Sequence, residues 1–225
     1  MAAPAARGFP MIRAAPARRK TARHLTRFIR AAAHLRRMSD AHQKVLNALN
    51  ARAKAAGWTF LVGKAEGFEH PPLAAACALW HEKANGRAMP ARADLTARVM
   101  KAFMAQMSLL ERVNDNGQDR YRVRLHGSAL ARYSGDATGK WLEDVVGTPR
   151  LGSYLGIYDT VLALRIPLRV VSRYQAPELD YLDGESFVAP LSVPTSPTPI
   201  ILSVTYAKPR KDDINFASSF ARKSA

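Results

Sequence analysis

Tyr121 to Val146 reads YRVRLHGSALARYSGDATGKWLEDVV, and the order of elements in this stretch decides the fold. Tyr121, Val123 and Leu125 alternate with Arg122, Arg124 and His126, which predicts a strand with one apolar and one basic face that stops at Gly127. A short apolar run (Ala129, Leu130, Ala131, Tyr133) ends at Gly135, the residue type best suited to a left-handed helix cap. Asp136 and Thr138 then offer side-chain oxygens to the orphan N–H groups of a new helix, whose apolar face is Trp141, Leu142, Val145 and Val146.

Working outward, Asn114-Asp115-Asn116-Gly117 is a strong turn signal that joins this strand to an earlier one marked by Met107, Leu109 and Val113. Downstream, Tyr154, Leu155, Tyr158, Val161 and Leu162 share one face of a helix from about Ser153 to Leu164. Leu168, Val170 and Tyr174 alternate with Arg169, Val171 and Arg173; Phe187, Ala189 and Leu191 mark the next strand, and Ile200, Leu202, Val204 and Tyr206 the last. Asp180, Asp183 and Glu185 flank Gly184 and read as a solvated hairpin turn. Two strands, a helical stretch and three strands predict an α+β domain: a five-stranded antiparallel sheet with helices packed on one face, preceded by N-terminal helices.

Upstream, Val45, Leu46, Leu49 and Ala53 predict a helix from Ser39 to about Ala56, with Gly57 as its stop. Trp58 to Val62 reads as a short strand or an irregular segment, Glu69-His70-Pro71-Pro72 as a linker, and Leu73 to Asn85 as a further helix. The expected organisation is a basic tail over 1–37, an N-terminal helix and linker over 38–72, the domain over 73–207, and a C-terminal tail over 208–225.

The chain has 225 residues and a formal net charge of +16, but the charge is unevenly placed. Residues 1–37 hold ten of the 34 basic residues and none of the 18 acidic ones. Leu25, Phe28, Ile29, Ala32 and Leu35 fall on one helical face there, which leaves open membrane contact, nucleic-acid binding and a transit-peptide role. The bland readings are an unfolded tail and an upstream start-site artefact, with Met38-Ser39-Asp40 as the natural beginning. No apolar run is long enough for a membrane-spanning helix or a secretory signal, so a cytoplasm-like compartment is expected. Cys77 is the only cysteine, which excludes an intrachain disulfide and a multi-cysteine zinc site. The six histidines are scattered and no nucleophile, base and orienting group stand together; no catalytic and no metal-binding residues are assigned.

The order Tyr121-Arg-Val-Arg-Leu-His126-Gly127, then Gly135-Asp136-Ala-Thr138-Gly139-Lys140-Trp141, resembles the central segment of a family of bacterial PAS domains, mostly stand-alone proteins of the alphaproteobacteria. The resemblance extends back to Leu79-Trp80, Met89-Pro90 and Arg92-Ala93-Asp94, and forward to Pro167, Glu185, Pro190-Leu191 and Tyr206, roughly Ala78 to Ala207. It departs at Leu95-Thr96, where the family tends to carry a proline. The resemblance implies a non-enzymatic sensory or protein-interaction module in bacterial signalling, with output through a partner regulator. The alternative is a nucleic-acid-binding protein acting through the basic segment. In domains resembling PAS a leading helix is a common homodimerisation element, and packing onto its own domain is the equal reading. Haem would need an axial histidine near Ser153 to Leu164, which has none, and a photoactive flavin would need a cysteine in the central helical segment, well downstream of Cys77. No cofactor is therefore expected. A small apolar ligand would sit among Leu130, Tyr133, Trp141, Tyr158, Leu202 and Tyr206, although an ordinary packed core uses the same residues.

Overall fold

The computed structural model describes residues 39–173 and 182–209. The basic segment, Tyr174, Asp180 and the tail beyond Pro209 lie outside them. Strands β2 (Met107–Asp115) and β3 (Gln118–His126) form the expected hairpin. Its two turn residues, Asn116 and Gly117, take φ of 51° and 86°, the left-handed pair that a tight antiparallel turn requires. A register shift between Leu109 and Leu110 pairs Leu109 with Leu125 and Leu110 with Val123. That bulge divides the predicted apolar face: Tyr121 and Val123 enter one core and Leu125 packs against the other. β3 ends at Gly127 because a Cβ there would lie 2.4 Å from the carbonyl oxygens of Met104 and Ala105.

The sheet has six strands, correcting the expected five. Its order is β1-β4-β5-β6-β2-β3, antiparallel throughout, with β1 (Phe60–Lys64), β4 (Leu168–Arg173), β5 (Leu182–Val193) and β6 (Ser196–Pro209). The extra strand is β1, too short to be told from an irregular segment by alternation alone. It holds its edge position through Asn50 of helix α1 (residues 39–55). The Asn50 amide donates to the Val62 carbonyl at 2.8 Å and accepts the Val62 N–H at 2.9 Å, completing backbone bonds that an edge strand leaves open.

Helices cover both faces of the sheet rather than one. On the inner face Leu46, Leu49 and Ala53 of α1, Leu142 and Val146 of α5 (Leu142–Val146), and Ile157, Tyr158 and Val161 of α6 (Thr148–Leu164) pack over Val62, Val170, Val188 and Ile201. On the outer face Leu73, Ala76 and Trp80 of α2 (Pro71–Ala84) and Met100 of α3 (Ala97–Met100) pack over Phe187, Ala189, Leu191, Leu202 and Val204. Central strands buried on both sides lose the simple in–out alternation, so their pattern does not reveal the second layer. The apolar stripe of α1 that would serve a dimer is spent on this chain's own core; Val45 alone of its large apolar residues stays exposed, at 41%.

Between β3 and α5 lies α4 (Ser128–Ser134). Gly135 takes φ 70°, ψ 170°, a region open only to glycine, in place of the predicted left-handed cap. Asp136 and Thr138 cap no helix. Asp136 Oδ1 accepts the Thr138 N–H, Thr138 Oγ1 accepts the His126 N–H, and the chain clips onto β3 through Gly139 N–H to Val123 O and Val123 N–H to Lys140 O.

Asp183 and Glu185 are not in a solvated turn. They belong to β5 and are 1% and 2% exposed. Glu185 Oε1 accepts Arg169 Nε at 2.5 Å, and its carboxylate also takes the backbone N–H groups of Glu69 (3.0 Å) and His70 (2.9 Å) at the start of α2. Arg173 lies 3.7 Å from Asp183, and Glu69 pairs outward with Lys208. Sequence reading missed this because three acids in a short span, Asp180, Asp183 and Glu185, ordinarily mark a solvated surface.

Glu185→Gln should remove the near carboxylate from the buried Arg169, leaving Glu69 at 3.7 Å, and lower the unfolding free energy by about 3–5 kcal/mol, read from the denaturant midpoint. The double replacement Arg169→Met with Glu185→Leu should recover most of that loss. A Glu185→Gln midpoint equal to wild type would remove the ion pair from any structural role.

Candidate functional site

On the inner face the register rows across the sheet run Phe60–Ser172–Gly184 and Val62–Val170–Ser186–Thr205. Where much of that face carries apolar side chains, Ser172, Ser186 and Thr205 in these rows supply three hydroxyls and Gly184 no side chain at all. The volume they leave forms a cavity of about 130 Å³, roofed by Arg150, Ser153, Tyr154 and Ile157 on one side of α6 and closed at the end by Trp58 and Thr59. This size suits a molecule of one ring: an apolar protein cavity of ~150 Å³ admits benzene.

Trp58 is placed by two glycines. A Cβ on Gly152 would lie 2.9 Å from Trp58 Cζ2, and one on Gly156 would lie 3.4 Å from Trp58 Cζ3 and 3.1 Å from Leu49 Cδ1. Spaced one helical turn apart, the glycines open a groove in α6 that seats the indole and the α1 side chain together. Phe60 stacks on Trp58 with centroids 5.9 Å apart, and the Arg52 guanidinium lies 5.2 Å from the ring centroid.

The polar lining is partly committed. Ser186 and Thr205 share a hydrogen bond of 2.8 Å, and Ser153 Oγ donates to the Arg150 carbonyl at 2.6 Å. Arg150 Nε donates to the Val146 carbonyl at 2.9 Å. Burial pushes the Tyr154 phenol above its ordinary pKa, an effect tempered by the positive charge of Arg150.

The six sequence-predicted ligand residues do not converge on one cavity. Tyr158 lies in the inner core beside Tyr121 and Tyr154, at centroid distances of 5.5 and 6.0 Å. Leu202 and Tyr206 face the outer layer, because β6 turns Ile201 and Thr205 inward and their neighbours outward. Leu130 and Tyr133 belong to α4, which packs on the short helical turn Met104–Gln106 instead of the sheet, and Tyr133 is 43% exposed. Trp141 stacks under the Arg120 guanidinium at 4.1 Å. The cavity lies one turn along α6 from Tyr158. Sequence reading passed over Trp58, Arg150, Ser172, Ser186 and Thr205; the available signals were the Gly152-x-x-x-Gly156 spacing and hydroxyls at inward strand positions.

A second polar group sits at the β3 end. His126 Nδ1 is 2.9 Å from Ser108 Oγ and Nε2 is 2.9 Å from Ser134 Oγ. Burial lowers the His126 pKa, with Asp136 acting the other way. Among the described residues no carboxylate hydrogen-bonds the ring, so these leave the set without the orienting group of a catalytic triad. Among the described residues no cluster of three or more His, Cys, Asp or Glu is arranged to hold a metal ion.

Residues 68–205 match the sequence model of a family described as PAS domain. Among solved structures the chain is similar to one described as "Structure of an RNA-binding Light-Oxygen-Voltage Receptor", at 12% identity and a TM-score of 0.37. The alignment covers 84% of this chain and 64% of that one, so the chain spans less than two thirds of the receptor's length. No curated protein matches the chain.

Gly152→Ala gains about 1 kcal/mol of helix propensity but forces the Trp58 ring out of its groove at an overpacking cost of ~1–3 kcal/mol. A lower melting midpoint with shifted tryptophan emission is expected, and unchanged emission would refute the seating of Trp58. For His126, the unfolded side chain protonates near the ordinary value of 6.5 and the folded one only at lower pH. Its neutral-form stabilisation is therefore complete above that value and lost as pH falls from it towards the folded pKa. His126→Gln should flatten the decline in stability between pH 7.5 and 5.5 relative to wild type; parallel declines would contradict the assignment.

Proposed function

The chain belongs to the PAS domain family, and from that premise we propose that it is a non-enzymatic sensory module whose inner-face cavity receives a small ligand and whose output passes through a partner regulator. The observation that carries the reading is the cavity itself, about 130 Å³ between α6 and the strands β1, β4, β5 and β6. Its lining draws on segments far apart in sequence, so an occupant contacts the sheet, α6 and the Trp58 corner at once. Trp58 adjoins α1 and Leu49 shares its groove, which makes α1 the first element to feel a change at the cavity. Bacterial signalling in a cytoplasmic compartment is the setting this reading favours. No helix among the described residues is long and apolar enough to cross a membrane. The charge of residues 1–37 favours a second reading, nucleic-acid binding through that segment, recognisable by steep salt dependence and by loss on its deletion.

Affinity capture from host extract tests the sensory reading. The full-length chain should retain a regulatory protein reproducibly, and Trp58→Ala, which opens the cavity wall, should change the amount retained by severalfold. Capture that ignores Trp58→Ala, or no partner under several growth conditions, would overturn it.

A further inference from the structure

We infer that the cavity selects a small single-ring carboxylate, the ring lying among Trp58, Tyr154 and Ile157 and the carboxylate meeting Arg150 and the strand hydroxyls. This rests on the sensory reading above and adds the chemical class of the ligand.

Three observations bear on it. A volume of about 130 Å³ is far below that of a drug-sized or dinucleotide site and close to that of a cavity that admits a single ring. The apolar walls reward a ring, whereas the floor does not suit a pure hydrocarbon. Ser172 Oγ makes no hydrogen bond among the described residues, and Ser186, Thr205 and Ser203 form a chain of hydroxyls spaced at 2.8 and 3.5 Å that can turn a donor towards an acceptor. A hydrocarbon would leave the Ser172 hydroxyl without an acceptor, whereas a carboxylate accepts from several donors at once.

The third observation is charge. Among the described residues two arginines and no acidic residue line the cavity. Arg173 is drawn to Asp183, whose position on β5 faces the outer layer. Arg150 forms no ion pair among the described residues, and its side-chain bond from Nε to Val146 O leaves the two Nη groups for an anion. A guanidinium without a carboxylate beside an aromatic wall discriminates against cations and favours a planar anion over a neutral isostere.

The test compares benzoate, benzyl alcohol and benzylamine on the full-length protein by thermal melts and calorimetric titration, at low and high salt. Benzoate should raise the melting temperature with concentration and bind about ten-fold or more tighter than benzyl alcohol, with benzylamine weakest. Arg150→Gln should erase the preference for benzoate while retaining benzyl alcohol binding. Ser172→Val, which leaves the Arg150 helix untouched, should weaken benzoate severalfold and serves if the arginine variant does not fold. Benzyl alcohol binding as tightly as benzoate would overturn the carboxylate assignment and leave ligand sensing standing. Failure of all three probes to bind would overturn the assignment and remove the single-ring cavity ligand from the sensory reading as well.

Discussion

Glu185 accepts the Arg169 guanidinium at 2.5 Å and the backbone N–H groups of Glu69 and His70, so one buried carboxylate both neutralises an interior arginine and binds the start of α2 to the middle of the sheet. The first turn of α2 has no acidic residue and no capping side chain of its own. Glu185 reaches its entry from another element, offering negative charge where the helix dipole is positive and acceptors where N–H groups lack them. Buried ion pairs contribute little net stability against apolar replacements, but removing one partner is severe. The arrangement therefore fixes geometry more than it adds free energy. Trp80 Nε1, donating to the Pro190 carbonyl at 3.0 Å, ties the same helix down further along.

With the outer layer held by polar bonds and the Phe187, Leu191 and Val204 packing, the inner face need not be filled at every position. β5 illustrates the division of labour. Asp183, Glu185 and Phe187 face outward, while Gly184 and Ser186 face the other way and leave the space that becomes the cavity. Trp58, Thr59 and Phe60 complete that space, and all three precede the span 68–205 that matches the family. Part of the site thus lies outside the span that the family model matches.

How legible this was depended on the range of the interactions. The β2–β3 hairpin was readable because Asn116-Gly117 is a local signal, and α6 because its apolar residues recur with helical period. The long-range features were not. The bulge at Leu109/Leu110, which sends Leu125 to the opposite core from Val123, has no composition of its own. β1 depends on Asn50, ten residues before it, whose amide imitates a neighbouring strand. Asp183 and Glu185 looked solvated because their partners, Arg169, Arg173 and the start of α2, come from elsewhere in the chain. The proposed ligand residues are dispersed for a related reason: alternation assigns residues to faces, but without the register it cannot say which face meets which helix.

The two glycines of α6 carry the physical logic of the site one step further. A glycine inside a helix costs about 1 kcal/mol relative to alanine, and Gly152 and Gly156 sit on the surface that receives Trp58 and Leu49. The weaker helix permits a closer approach, so on its α6 side the indole meets backbone, while Phe60 and Arg52 hold its other surfaces. Leu49 and Asn50 are adjacent on α1; the first rests near Gly156 and the second holds Val62 of β1. A displacement of Trp58 therefore acts on α1 through Leu49 and on the sheet edge through β1, with little intervening material to absorb it. Packed interiors transmit such displacements because they are dense and weakly compressible. A cavity bounded by this tryptophan is consequently better placed to alter the α1 surface than one bounded by Tyr158, which is embedded among Tyr121, Tyr154 and Val161 in the filled part of the inner core.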